Sequence, residues 1–184
     1  VFTAVAANKL QRVAVDANTK ATPAAQKTAI RAAGVATALV DDLISSGSPA
    51  LRQQEGQRIY MTQALADALT IDVRNNNKGS ELQWQELHDG MTIAKYSGVE
   101  IVAMPWWDEI ISSMLNNSTT HAALDKPYRA IYTVRENLLI GTPSGDGIAE
   151  FEVSFNSKDR KNYIYAADSI GALVAQEDLV VVAY

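Results

Sequence analysis

Helical periodicity fills the first part of this chain and β-prone runs crowd its later part, and that order limits the available folds more than any other feature. A chain alternating strand and helix throughout would build a parallel α/β sheet; helices first and strands later favour α+β. The opening Val1–Val5 is apolar and β-prone, and a polar stretch follows. Thr22 then offers a cap, Pro23 suits a first helical position, and Ile30, Ala33, Ala36, Leu39, Val40, Leu43 and Ile44 recur on one face as far as Ser45 and Ser46. Read as one helix stopped by Gly47 and Pro49, this would be on the order of 35 Å long. A strand over Arg58–Met61 leads to a second helix, capped by Thr62 and carrying Leu65, Ala66 and Leu69. After a loop over Asn75–Gly79, Ser80 and Gln83 fit a capping box that opens a short helix closed by Gly90.

Met91–Tyr96 and Val99–Met104 predict a hairpin turning at Ser97-Gly98, where glycine accepts a positive φ. Pro105 ends it, and Trp106–Leu115 returns to helical spacing with Trp107, Ile110, Ile111 and Met114 on one side. Five β-branched or aromatic runs follow: Arg129–Val134, Leu138–Gly141, Phe151–Phe155, Tyr163–Ala167 and Leu179–Tyr184. The turn-rich segments among them are Thr142–Gly147 and Asn156–Lys161.

Composition narrows the function classes. With 184 residues the chain can bury a sizeable core, and 47% hydrophobic against 20% charged residues is ordinary globular usage. A net charge of −5 without a basic cluster argues against a dedicated nucleic-acid binder, whose affinity would come from grouped Lys and Arg. The absence of cysteine excludes disulfides, thiolate metal sites and a cysteine nucleophile. No run approaches the ~20 apolar residues of a membrane-spanning helix. The first methionine is Met61 and the chain opens on Val1, which leads to the expectation that it is a fragment of a longer product.

Catalytic chemistry finds little to work with. His88 and His121 are the two histidines, and the His88-Asp89 pair lacks the further ligands a metal site needs. Gly141–Gly147 has neither the Lys-Ser/Thr ending of a phosphate loop nor dinucleotide-fingerprint spacing, and Thr142 stands where a hydrolase elbow around Ser144 would need glycine. The carboxylate pairs Asp41-Asp42, Glu86 with Asp89, and Asp108-Glu109 read as solvated helix faces. Neither catalytic residue, metal nor cofactor is expected. Trp106-Trp107 fits core packing at a strand-to-helix junction, a ligand-stacking surface or an interface anchor. An alternative of another class, a small-molecule-binding or hydrolytic α+β domain, would bring Trp106, Trp107, His88 and Asp89 into one pocket.

The order of these pieces resembles the second half of the major capsid (coat) protein of tailed bacteriophages, a fold shared with herpesviruses and encapsulin compartments. Ala24–Ile44, Arg58-Ile59-Tyr60-Met61-Thr62 and Ala64–Thr70 are similar to that family's helix, strand and helix. Tyr96-Ser97-Gly98-Val99-Glu100-Ile101-Val102 resembles its glycine-turn strand, and Arg129-Ala130-Ile131-Tyr132-Thr133 with Asn137-Leu138-Leu139-Ile140-Gly141 its late sheet. Phe151-Glu152-Val153, Asp159-Arg160-Lys161-Asn162-Tyr163 and Leu179–Tyr184 resemble its charged loop, long strand and closing strand.

The resemblance implies an α+β coat fold, with residues 1–153 mainly an axial-type domain around a central mixed sheet and 154–184 giving strands to a peripheral domain. It implies a structural subunit and no enzyme: an icosahedral shell of hexamers and pentamers enclosing double-stranded DNA bound non-specifically. Scaffolding, portal and decoration proteins would be its partners, and virion and bacterial host cytoplasm its places. An encapsulin-like compartment shell is the near alternative. The N-terminal arm, extended loop and spine helix of the family have no counterpart, and Ala166 falls where one relative carries a crosslinking Asn. Exposed charged loops can pair with a rotated copy, so Lys158, Asp159, Arg160 and Lys161 are the expected subunit-interface residues.

Overall fold

The structure, a computed structural model, describes residues 11–76, 82, 84–86, 92–111, 126–141, 150–156, 158, 161–167 and 171–184. The sequence places apolar residues two apart in its strands and three or four apart in its helices, and the fold joins these stripes in one core. The strands are β1 (Gln11–Val13), β2 (Gln57–Thr62), β3 (Gln85–Glu86), β4 (Thr92–Tyr96), β5 (Val99–Met104), β6 (Ala130–Val134), β7 (Leu138–Gly141), β8 (Glu150–Asn156), β9 (Lys161–Ala167), β10 (Gly171–Val174) and β11 (Val180–Ala183). The helices are α1 (Pro23–Ile30), α2 (Val35–Ser45), the single turn α3 (Pro49–Arg52), α4 (Gln63–Asn75) and α5 (Pro105–Ile110). The chain is α+β, as its ordering of helix and strand signals predicts.

Packing divides the chain into two units, residues 1–135 with 176–184, and 136–175. The larger unit holds a seven-stranded mixed sheet in the order β1-β11-β6-β2-β5-β4-β3. Register aligns Val181, Tyr132, Ile59, Ile101 and Ala94 in one row across five strands. All five are buried, and they share a core with Leu39, Val40 and Leu43 of α2 and Leu65 and Leu69 of α4. The smaller unit holds two antiparallel pairs, β7 with β10 and β8 with β9. The sequence expectation set its boundary at 153/154. Packing instead separates 136–175, because β11 returns to the large sheet between β1 and β6.

Local chemistry accounts for several elements. Thr22 caps α1, its hydroxyl accepting from the Ala25 amide at 3.3 Å, and Pro23 follows at the first helical position. The hairpin turns at Ser97 and Gly98 with φ of 50° and 83°, the pair of positive values that a two-residue turn matched to strand twist requires. Gly47 leaves room for a neighbour: a Cβ there would lie 2.8 Å from the Tyr132 ring.

Three expectations need correction. The single long helix is two, α1 and α2, broken over 31–34 where Gly34 adopts φ 79°. Alanine spacing carries a helical stripe straight through such a break, so periodicity alone does not reveal it. The short helix expected after Ser80 is not formed at its centre: Gln85 and Glu86 are extended and pair with Ile93 and Thr92. Trp84 is held there as its Nε1 donates to the Thr70 hydroxyl at 2.8 Å. β1 and β10, both without a strong β-prone run, are strands that the sequence reading did not anticipate. Val1–Val5, Ser80 and Gln83 of the expected capping box, and Thr142–Gly147 lie outside the described residues.

Candidate interaction surface

Of the expected interface residues, Lys158 and Lys161 lie at the end of the β8–β9 pair. Asn156 and Lys161, expected to lie in the loop, are instead register partners on β8 and β9, with Lys158 in a turn between them. Lys158 is exposed in that turn and Lys161 opens β9. Asp159 and Arg160 lie outside the described residues.

More conspicuous in the same unit are apolar side chains in solvent. Val153 is 57% and Phe155 66% exposed; they stand two apart on β8 and so on one face. Leu139 and Leu173, 48% and 68% exposed, are direct cross-strand partners on β7 and β10. Ile140, at 78%, projects to the opposite side. A lone two-stranded ribbon is marginal in water, and its usual remedy is to lay an apolar face on something else. The alternation in Phe151–Phe155 and the apolar run Leu138–Ile140 signal strands, but such patterns do not tell which strands find a cover within their own chain.

The larger unit carries its charge differently. Register aligns Arg58, Glu100 and Lys95 across β2, β5 and β4. The Arg58 guanidinium meets the Glu100 carboxylate at 2.9 Å. They border an open polar groove of about 570 Å³ with Gln54, Glu55 and the 97–98 turn. Among the described residues no group of three His, Asp or Glu could hold a metal ion.

Two carboxylates expected to be solvated, or not singled out at all, prove structural. Gly34, the N-cap of α2, has no side chain, and Asp72 from α4 takes over the task. Its carboxylate accepts from the Gly34 amide at 2.7 Å, the Thr37 amide at 3.0 Å, the Thr37 hydroxyl at 2.9 Å and Asn76 Nδ2 at 3.1 Å. It thus satisfies the amides of both the cap and the third helical residue. Burial pushes this carboxyl up, but the bonds from Thr37, Gly34 and Asn76 outweigh it and hold Asp72 below its ordinary value.

Asp108 serves α4 in the same way, and its reading as a solvated charge is corrected here. Thr62 occupies the expected cap position but makes no capping bond. Its hydroxyl accepts from the Arg129 amide at 3.4 Å, while Asp108 accepts from the Gln63 and Ala64 amides at 2.7 and 3.2 Å. Asp41 and Asp42 are exposed as expected. Trp106, 38% exposed, and the partly buried Trp107 share α5 with Asp108, whereas His88, Asp89 and His121 lie outside the described residues.

No protein-family model matches the chain, and no curated protein does. Six solved chains match its structure. One comes from Mycobacterium phage Che8, with 12% sequence identity and a TM-score of 0.49, aligned over 99% of this chain and 60% of that one. This chain therefore spans less than two thirds of the length of that phage protein. The fold is α+β: helices and a mixed seven-stranded sheet in one unit, two antiparallel strand pairs in the other.

Proposed function

We propose that this chain is a structural subunit that works by associating with copies of itself, and specifically a coat protein of the tailed-phage type that contributes to a closed shell around DNA. The observation that carries this reading is the apolar exposure of Leu139, Ile140, Val153, Phe155 and Leu173 on two-stranded ribbons. Monomeric proteins keep such surface small, and clusters of it mark sites of association. The sequence resemblance to the coat family supplies the kind of assembly. The exposed Lys158 turn lies in the same unit and provides polar contacts of the sort that rim an interface and set its register.

The test is association itself. Replacing Val153 and Phe155 together by threonine preserves β propensity and removes the two exposed apolar side chains described on β8. Sedimentation and electron micrographs of the full-length gene product are expected to show shells from the parent and only small species from the double variant, at unchanged thermal stability of the large unit. Shells formed equally by both would overturn the reading.

A finer expectation concerns charge. Reversing Asp159 or Arg160 singly is expected to reduce shell yield and weaken its salt dependence, as contacts between opposite charges near a surface should. Unchanged yield for both variants would remove the turn from the interface.

A further inference from the structure

Two cations share one ring in the larger unit: the Arg12 guanidinium lies 4.1 Å and the Lys126 ammonium 4.6 Å from the centroid of Tyr184. A third is close by, as Arg129 Nε donates to the Lys126 carbonyl at 2.7 Å. Val13, Ala183 and Ala130 share one row of the sheet, which brings their chain neighbours Arg12, Tyr184 and Arg129 together. No basic run in the sequence announces this cluster, because its members come from opposite ends of the unit's longer segment. We propose that Arg12, Lys126 and Arg129 form a binding site for a phosphate group, supplied by a nucleic-acid backbone or as free phosphate.

The ring gathers these charges without neutralising them. An aromatic face attracts a cation through its quadrupole but carries no net charge. Among the described residues neither Arg12 nor Lys126 is ion-paired, and the first carboxylate after Arg12, Asp16, is engaged by Lys20 at 3.0 Å. Lys126 is half-buried, and burial, together with the charges of Arg12 and Arg129, holds its ammonium below the ordinary value. Like charges crowded in this way repel, and an anion seated among them turns that repulsion into attraction. Arg12 is exposed on the edge strand β1, so an anion reaches the cluster from solvent, while Arg129, 8% exposed, adds a buried charge. Arginine offers a planar fork of donors and lysine a point charge, a combination suited to the several oxygens of a phosphate. The net charge of −5 opposes approach at long range, so binding depends on these short contacts and is strongest at low salt.

Titrating inorganic phosphate and, separately, a short DNA duplex into the intact chain at low ionic strength tests this. Phosphate is expected to shift the side-chain NMR resonances of Arg12 and Lys126, and Arg12→Gln and Lys126→Gln are each expected to weaken binding severalfold. Where nucleic acid is the source, the duplex shifts the same resonances, and each variant lowers the slope of log affinity against log salt by about one. Shifts with phosphate but not with the duplex assign the site to the free ion. Arg74→Gln removes an equal charge from the exposed end of α4 and is expected to leave binding unchanged. An absence of shifts at Arg12 and Lys126 with both ligands, or equal weakening by Arg74→Gln, overturns the proposal. The wild-type shifts decide the matter even if a variant folds poorly.

Discussion

Asp72→Ala is expected to destabilise the larger unit by about 3 kcal/mol, the loss of a buried cap together with stranded donors. Asp72 is 2% exposed, and its removal leaves the Gly34 and Thr37 amides and the Thr37 hydroxyl without the carboxylate that satisfies them. Asp72→Asn separates charge from shape. The carboxyl is held below its ordinary value in the fold, so its ionised form contributes stability that is fully present above the unfolded value of 3.8 and is lost as pH falls through the lower folded value. Asp72→Asn should therefore be weaker than the parent at neutral pH and should lack this part of the acid limb. Chemical denaturation at a series of pH values measures both effects; an Asp72→Asn curve parallel to the parent at every pH would show that the charge has no part in the cap.

Gly47→Ala is expected to cost about 2 kcal/mol, the range for forcing an extra carbon into a filled core. The new Cβ would meet Tyr132 Cε1 at 2.8 Å, the Ile44 carbonyl oxygen at 3.2 Å and Leu51 Cδ2 at 3.4 Å. The tyrosine cannot yield easily, since its ring is fully buried and its hydroxyl donates to Gln57 Oε1. Backbone strain has no share, because Gly47 is not among the positive-φ glycines. The conflict is with one ring, so a double-mutant cycle with Tyr132→Leu should show the alanine costing much less once that ring is gone. Additive losses in thermal melts would mean that the ring is not what excludes the side chain.

Local chemistry was legible in the sequence wherever a residue acts on its own neighbours. Thr22 with Pro23 caps α1, and Ser97-Gly98 turns the hairpin, because each needs only a few adjacent residues. The reading went astray where a distant partner decides. Thr62 has the right type and position for a cap, yet its hydroxyl is engaged by Arg129 and the cap comes from Asp108. Gly34 lies inside a continuous alanine-rich stripe, and its break is made good by Asp72. Asp108 looked solvated because the sequence displays a charge but not the helix end that meets it. In the smaller unit, the strands bearing Val153, Phe155 and Leu139 were visible as strands. Their exposure was not, since a β-prone run reads the same whether its cover comes from its own chain or from another.

β11 carries one more consequence. It is the final strand along the chain, yet it lies inside the sheet, flanked by β1 on one side and β6 on the other, with all four of its residues buried. While the polypeptide is still being made, β6 lacks this neighbour, and β1 lacks the strand it pairs with among the described residues. The large sheet stays unzipped along that seam until Val180–Ala183 leave the ribosome, so a ribosome stalled before them would present a ready-made strand vacancy to any extended segment nearby, including the same four residues of a finished copy.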